Sequence, residues 1–283
     1  MRSSATACAL ACGAALLCGC SLNRTAARVT GGVMQNGMPA YLEDGDVQTG
    51  RETLLPAVKL AEAMLKNDPG NAAILQTLAQ GNCGYAFMFV EDEDQQRASS
   101  LYMRGVEFSK QLLAGRGLLD LDGNADVSKV RGRDDVPAVF WNAFCRAGYV
   151  QLNLDKPDAI ADINKIDALL DAVIKTDPGY YYNGAHTLKG ALYALRPPMM
   201  GGNPKLARSE FELAVSGDGA NFLPNKLMYA KAYAVHAQEP ELFDKLLGEI
   251  DSASEDALPA QRLANNVAKL KAKKLMEKKN DLF

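Results

Sequence analysis

From Arg51 onward, apolar and polar positions alternate with a helical period, and short polar breaks divide the chain into segments. In "ETLLPAVKLAEAMLKNDPGN", Leu54, Val58, Ala61, Met64 and Leu65 share one face, and Asp68-Pro69-Gly70 stops the helix. The next stretch, "NAAILQTLAQGNCGYAFMFV", is apolar nearly all round and predicts a helix buried on both sides. After the acidic break "EDEDQQ" comes "RASSLYMRGVEFSKQLLAG", with Leu101, Val106, Phe108 and Leu112 on its apolar side. "PAVFWNAFCRAGYVQLNL" is again apolar on several faces. "PDAIADINKIDALLDAVIKTDPG" aligns Ile160, Ile163, Ile166, Leu169, Leu170 and Val173, and ends at a second Asp-Pro-Gly. No segment alternates cleanly with period two, so β-structure is not expected.

Buried and half-exposed helices in alternation are what an array of helix hairpins requires. The tetratricopeptide pattern, a hairpin of about 34 residues with small and aromatic positions at fixed offsets, fits in part. Ala207, Phe211 and Ala214 stand at its spacings, with Gly219 where a proline is usual. Ala57, Ala61, Met64 and Pro69 match more loosely. Gly190 and Tyr193 match the first helix of a repeat, but the connector "RPPMMGGNP" is longer than the pattern allows. Further helices over "NKLMYAKAYAVHA", "PELFDKLLGEI" and "ALPAQRLANNVAKLKAKKLMEKK" extend the array. The predicted fold is therefore all-α, an irregular tetratricopeptide-like array of helix hairpins able to close around a cavity or pore.

The first residues are of a different kind. One Arg, an uncharged run of small and apolar residues and then Leu17-Cys18-Gly19-Cys20 read as an export signal, too short for a spanning helix of about 20 apolar residues. The end of the run resembles a bacterial lipobox, which makes Cys20 the lipidated thiol and new N-terminus, and Ser21 points to the outer membrane. The expected divisions are a signal peptide over 1–19, a lipidated N-terminus and irregular tether over 20–49, and a helical domain over 50–283. Of six cysteines, four belong to the leader. Cys83 and Cys145 remain, each in an apolar helical stretch, where a buried inert thiol is the favoured reading and a disulfide the alternative.

The chain is 48% hydrophobic with a formal charge of −3, which gives no pull toward nucleic acid. Candidate chemistry is sparse. Asp120, Asp122 and Asn124 suggest a calcium loop, but Ala125 and Arg131 stand where such a loop needs glycine and glutamate, so a solvated turn is expected and no metal. His186 and His236 have no ligand partners at suitable spacing. No nucleophile motif or phosphate loop is present, so there is no positive case for catalysis and no cofactor is expected. Three consecutive tyrosines in "GYYYNGAH" cannot all face one way, and one should project from a hairpin tip or into a cavity. Trp141, with Phe140 and Phe144, reads first as core.

At "VFWNAFCRAGYVQLNL" and "DPGYYYNGAHTLKGALYALRPPMMGGNPKLARSEFELAV" the chain resembles the T-components of TRAP transporters, the tripartite ATP-independent periplasmic transporters. Asn183-Gly184-Ala185-His186, Gly190, Arg196-Pro197 and Gly201-Gly202 carry the likeness. The resemblance implies a non-enzymatic lipoprotein, anchored by its lipid at the periplasmic face of the outer membrane. It also implies an internal cavity or pore and a periplasmic solute-binding protein as partner. The expected ligand is a hydrophobic or amphipathic small molecule, with Trp141, Tyr181, His186, Arg196, Met199 and Met200 near the lining. A homo-oligomer is left open. The competing expectation is a tetratricopeptide scaffold for envelope assembly, with an open, polar groove.

Overall fold

The structure, a computed structural model, describes residues 25–283 apart from residue 27, so the leader over 1–19 and Cys20 lie outside the described residues. Among the described residues there is no strand, only an isolated bridge between Leu119 and Ala125. The first helix, α1, runs over 28–43. It is followed by α2 (Val47–Leu65), α3 (Ala72–Tyr85), α4 (Gln95–Gly115), α5 (Val136–Gln151), α6 (Pro157–Thr176), α7 (Tyr180–Leu195) and α8 (Pro204–Ala214). The chain ends with α9 (Leu223–Met228), α10 (Pro240–Ser252), α11 (Arg262–Glu277) and a short α12 (Lys279–Leu282). Two π-helical turns interrupt the pattern, Ala86–Val90 after α3 and Tyr229–Ala234 after α9.

Side-chain caps start several helices. Asp46, Asn71, Asp94 and Asn203 each accept hydrogen bonds from the first-turn amides of α2, α3, α4 and α8, which would otherwise lack partners. From α2 to α8 each helix packs antiparallel on the next, which places α3, α5 and α7 side by side as an inner row. The apolar stripe of α6, with Ile163, Ile166, Leu169, Leu170 and Val173 all buried, is covered by α5 and α7.

The array closes on itself. α11 packs on α9 and α10 and also reaches α2 and the π turn after α3. Leu263 fills the space beside Gly50, Asn266 donates to the carbonyl of Gly45 at 2.8 Å, and Lys271 reaches the carbonyl of Phe87. The segment expected to be an irregular tether is instead helical over 28–43. Gly31 lets α1 approach Ile74 and Asn71 closely enough that a Cβ would lie 2.9 Å from Ile74.

The two body cysteines are joined, contrary to the favoured expectation of inert thiols. Cys83 on α3 and Cys145 on α5 form a disulfide with their Cα atoms 5.5 Å apart. Each is surrounded by apolar side chains, as the sequence indicates, but those surroundings are the shared wall of two neighbouring helices. Gly105 on α4 makes the approach possible. A Cβ there would lie 2.0 Å from the Cys83 sulfur and 2.7 Å from that of Cys145.

Bridging residues 62 apart restricts the unfolded chain enough to contribute about 4 kcal/mol. The Cys83→Ala/Cys145→Ala double variant should therefore unfold at a lower urea concentration, and a midpoint equal to wild type would contradict the bridge. Gly105→Ala should destabilise the oxidised protein by about 1–3 kcal/mol. Much of that loss should vanish in the double variant, a coupling readable from the four urea curves.

Candidate functional site

The inner row encloses an elongated cavity of about 120 Å³. Helical spacing explains its shape. The wall contributed by α3 and its π turn runs from Gln80 through Gly84 and Phe87 to Glu91, that of α5 from Phe140 through Phe144 and Gly148 to Gln151, and that of α7 from Gly184 through Leu188 and Ala191 to Arg196. Each stripe repeats at three and four residues and covers 12 or 13 residues, and 11 rises of about 1.5 Å make the slot about 16 Å long. α9 and α11 cover the concave side with Pro224, Met228 and Ala264, while Met38 and Leu42 of α1 complete the wall. Gly84 leaves its part of the wall free of a side chain, while Gly81 and Gly148 let Val58 and Tyr102 pack directly on α3 and α5. The lining is overwhelmingly apolar, and a cavity of such size and character, on the order of 150 Å³, can admit a molecule as small as benzene.

One end of the slot is aromatic. Tyr181 stands 5.0 Å from Trp141, 5.5 Å from Phe222 and 5.6 Å from Phe140 between ring centroids. Tyr180 packs on Phe140 and Tyr182 stacks on Phe222, so the three tyrosines do diverge. They diverge because Tyr181, Tyr182 and Asn183 all lie in the left-handed region, with φ of 48°, 57° and 63°, and α7 is regular only from Gly184. Two asparagines hold this turn against the end of α8. Asn183 donates to the carbonyls of Leu213 (3.0 Å) and Ser216 (2.9 Å), and Asn225 donates to those of Tyr182 (2.7 Å) and Ala214 (2.9 Å). Thr187 donates in turn to the Asn225 side-chain oxygen at 2.7 Å. Burial raises the Tyr180 hydroxyl to about 12 and lifts Tyr181 further, so both remain neutral phenols.

The other end is ionic. Glu91 is 7% exposed and accepts from the Tyr102 hydroxyl at 2.7 Å and from Lys271 at 3.3 Å. Asp92 pairs with Lys271 at 2.8 Å and Lys231 at 3.1 Å. Burial alone would raise the Asp92 carboxyl, but the two ammonium groups outweigh it and hold it at about 2. The Lys271 ammonium also lies 4.8 Å from the centre of the Phe87 ring, a cation–π contact at the junction of slot and surface. Beyond this quartet lies an outer cleft that shares Phe87, Glu91, Gln151 and Met228 with the slot and adds Lys274, Glu277 and Lys278.

Of the residues singled out from sequence, the structure brings Trp141, Tyr181 and Arg196 together on the slot wall. Arg196 is buried and committed, with Nε donating to the Leu192 carbonyl at 2.8 Å, Nη2 to Asp167 at 3.3 Å, and the guanidinium over Tyr193. His186 lies elsewhere. Its Nδ1 is 2.7 Å from Glu210 Oε2, which places it at the interface of α7 and α8. Met199 and Met200 also lie away from the slot, 92% and 36% exposed. The reason is the turn itself. Pro198–Met200 form a single 3₁₀ turn closed by hydrogen bonds to Pro197 and ended by Gly201 at φ 85°. Gly202 then passes so close to the Arg196 carbonyl that a Cβ would lie 1.8 Å from it. The prolines and glycines make a tight reversal whose methionines point outward.

Reasoning from sequence missed the wall glycines of α3 and α5, the π-turn residues Phe87 and Met88, and the contribution of α1. Glycine inside an apolar helix costs about 1 kcal/mol relative to alanine, so "GNCGY" and "RAGY" carried a usable signal. The "DLDGNAD" loop is a turn in which Asp120 accepts from the amides of Asp122 and Asn124. Among the described residues no group of three or more His, Cys, Asp or Glu is placed to hold a metal.

Comparison with known proteins supplies the context for this geometry. Among curated proteins no sequence matches the chain. The family model described as TRAP transporter T-component matches residues 43–283, nearly all of the described array. A match of that extent supports an accessory role in a TRAP transporter, and the chain belongs to the TRAP transporter T-component family.

Proposed function

We propose that this T-component is a lipid-anchored periplasmic protein whose slot binds, or passes on, an apolar or amphipathic solute in concert with a periplasmic solute-binding protein. The observation that carries this reading is the slot, an apolar space about 16 Å long inside an array closed by α9 and α11. Tyr85, Glu91, Tyr102, Thr187, Arg196 and Asn225 of the wall are hydrogen-bonded within the protein, so the site favours molecules that prefer hydrocarbon to water. The competing reading, a scaffold that binds protein segments in an open groove, is disfavoured because α9 and α11 lie across the concave face.

Attachment to the outer membrane rests on the lipobox-like Leu17-Cys18-Gly19-Cys20 and on Ser21. No helix among the described residues is long and apolar enough to cross a membrane. α1, which lies within the first residues after Cys20 in sequence, reaches the slot at Met38 and Leu42. On this reading the solute site lies close to the anchored end of the chain.

Native mass spectrometry with solvent extraction of the purified protein should reveal a lipid-like ligand, and photocrosslinking in cells should capture a periplasmic solute-binding protein. Finding neither would remove the support for the role. A sharper check uses Gly84, where a Cβ meets nothing nearer than Met88 at 4.0 Å. Gly84→Leu should fold normally and fill the slot, lowering ligand recovery by at least about tenfold; undiminished recovery would put the ligand elsewhere. Cys20→Ser should release the protein from membranes, and persistent membrane association of that variant would count against the anchor.

A further inference from the structure

Resting on the reading of the slot as a ligand site, we propose that its ligand is a neutral straight-chain amphiphile, bound with a hydroxyl or carbonyl group hydrogen-bonded to Tyr181. Tyr181 forms part of the slot wall, half-buried among aromatic rings. Among the described residues no side chain or backbone group is hydrogen-bonded to its hydroxyl. A hydroxyl without a protein partner on an otherwise apolar wall is the group there that a ligand can satisfy, and a ligand atom that accepts from it gains a hydrogen bond in a water-poor setting.

The backbone adds an independent observation. Three successive non-glycine residues in the left-handed region are strained, and such strain persists only where surrounding contacts impose it. Here Asn183 and Asn225 impose it through four carbonyls. A regular start to α7 would carry residue 181 on a different bearing. The strained turn instead sets the Tyr181 ring between Trp141 and Phe222, at the aromatic end of the slot.

The charge of the ligand follows from what surrounds that end. Phe140, Trp141, Tyr180, Tyr182 and Phe222 bring no charge, and Thr187 and Asn225 are bonded to each other. A carboxylate there would be a buried charge without a cation, which is strongly unfavourable. At the opposite end Lys231 and Lys271 are committed to Glu91 and Asp92, and Arg196 to Asp167. The Tyr181 phenol keeps its proton because burial raises its pKa, so it donates to a carbonyl or exchanges hydrogen bonds with an alcohol. Shape supplies the rest. About 120 Å³ drawn out along three helices accommodates a single extended chain and excludes a bulky ring system.

Trp141 is the sole tryptophan of the chain and touches Tyr181, so its fluorescence reports occupancy of this end. Delipidated full-length protein would be titrated at pH 8 with 1-octanol, octanoate and octane. We expect 1-octanol to bind more tightly than octanoate, and Tyr181→Phe to weaken 1-octanol by about three- to tenfold while leaving octane unchanged. Octanoate binding as tightly as 1-octanol, or a Tyr181→Phe variant with unchanged 1-octanol affinity, would overturn the proposal while leaving the slot a ligand site. Failure of all three probes to bind the wild type would overturn both the proposal and the reading on which it rests.

Discussion

Four hydrogen bonds from two asparagine amides hold the turn on which the slot depends. Left-handed backbone costs roughly 1–2 kcal/mol per residue for residues with a Cβ, and Tyr181, Tyr182 and Asn183 adopt it in succession. Asn183 and Asn225 offset that cost by donating to the carbonyls of Leu213 and Ala214 at the end of α8, of Ser216 just beyond it, and of Tyr182. The end of one helix is thereby capped by the deformed start of another. The capping fixes α7 relative to α8, turns Tyr181 inward, and lets Gly184 lie against Phe140, where a Cβ would be 2.8 Å from the ring.

Closure of the array follows a similar logic of close approach. Gly31, Gly50 and Gly105 each stand where a helix comes too near its neighbour for a side chain, against Ile74, Leu263 and the disulfide respectively. The disulfide ties α3 to α5 within the inner row and makes two of the three slot walls a single covalent unit. The third wall, α7, is held through the asparagine clamp and through Lys189 and Arg196, which pair with Asp171 and Asp167 on α6. The three walls are fixed by different means, and on α3 Gly84 leaves the space between them without a side chain.

Much of the fold was legible because the helices obey a 3.6-residue period and end in strong stops, as at Asp68-Pro69-Gly70 and Asp177-Pro178-Gly179. α1 was not legible, because its glycines and lack of period hide a helix stabilised by packing on α3. The disulfide was hidden by a local signal that was itself correct, since Cys83 and Cys145 are apolar in environment and only the tertiary approach of α3 and α5 joins them. At the site, Trp141 and Tyr181 could be found as aromatic excess. The composition of "RPPMMGG" misled in the opposite direction, because its prolines and glycines serve a turn and its methionines were judged by type alone. Small residues that define a cavity carry weak sequence signals, since what matters about them is the side chain they lack.

The ionic quartet at the far end of the slot bears on what the slot can hold. Two carboxylates and two ammonium groups, Glu91, Asp92, Lys231 and Lys271, balance one another, and Tyr102 satisfies the remaining oxygen of Glu91. A balanced cluster projects little net field into the apolar space behind it, whereas a lone cation would draw in anions and leave them paired at the entrance. The quartet also borders water on its outer side, where the cleft adds both Lys274 and Glu277 without favouring either sign. Discrimination by charge therefore falls to the desolvation of the ligand itself. A charged head must stay outside beside the quartet, while a neutral one can pass into the slot, and the single hydroxyl at the aromatic end then decides how such a molecule is oriented.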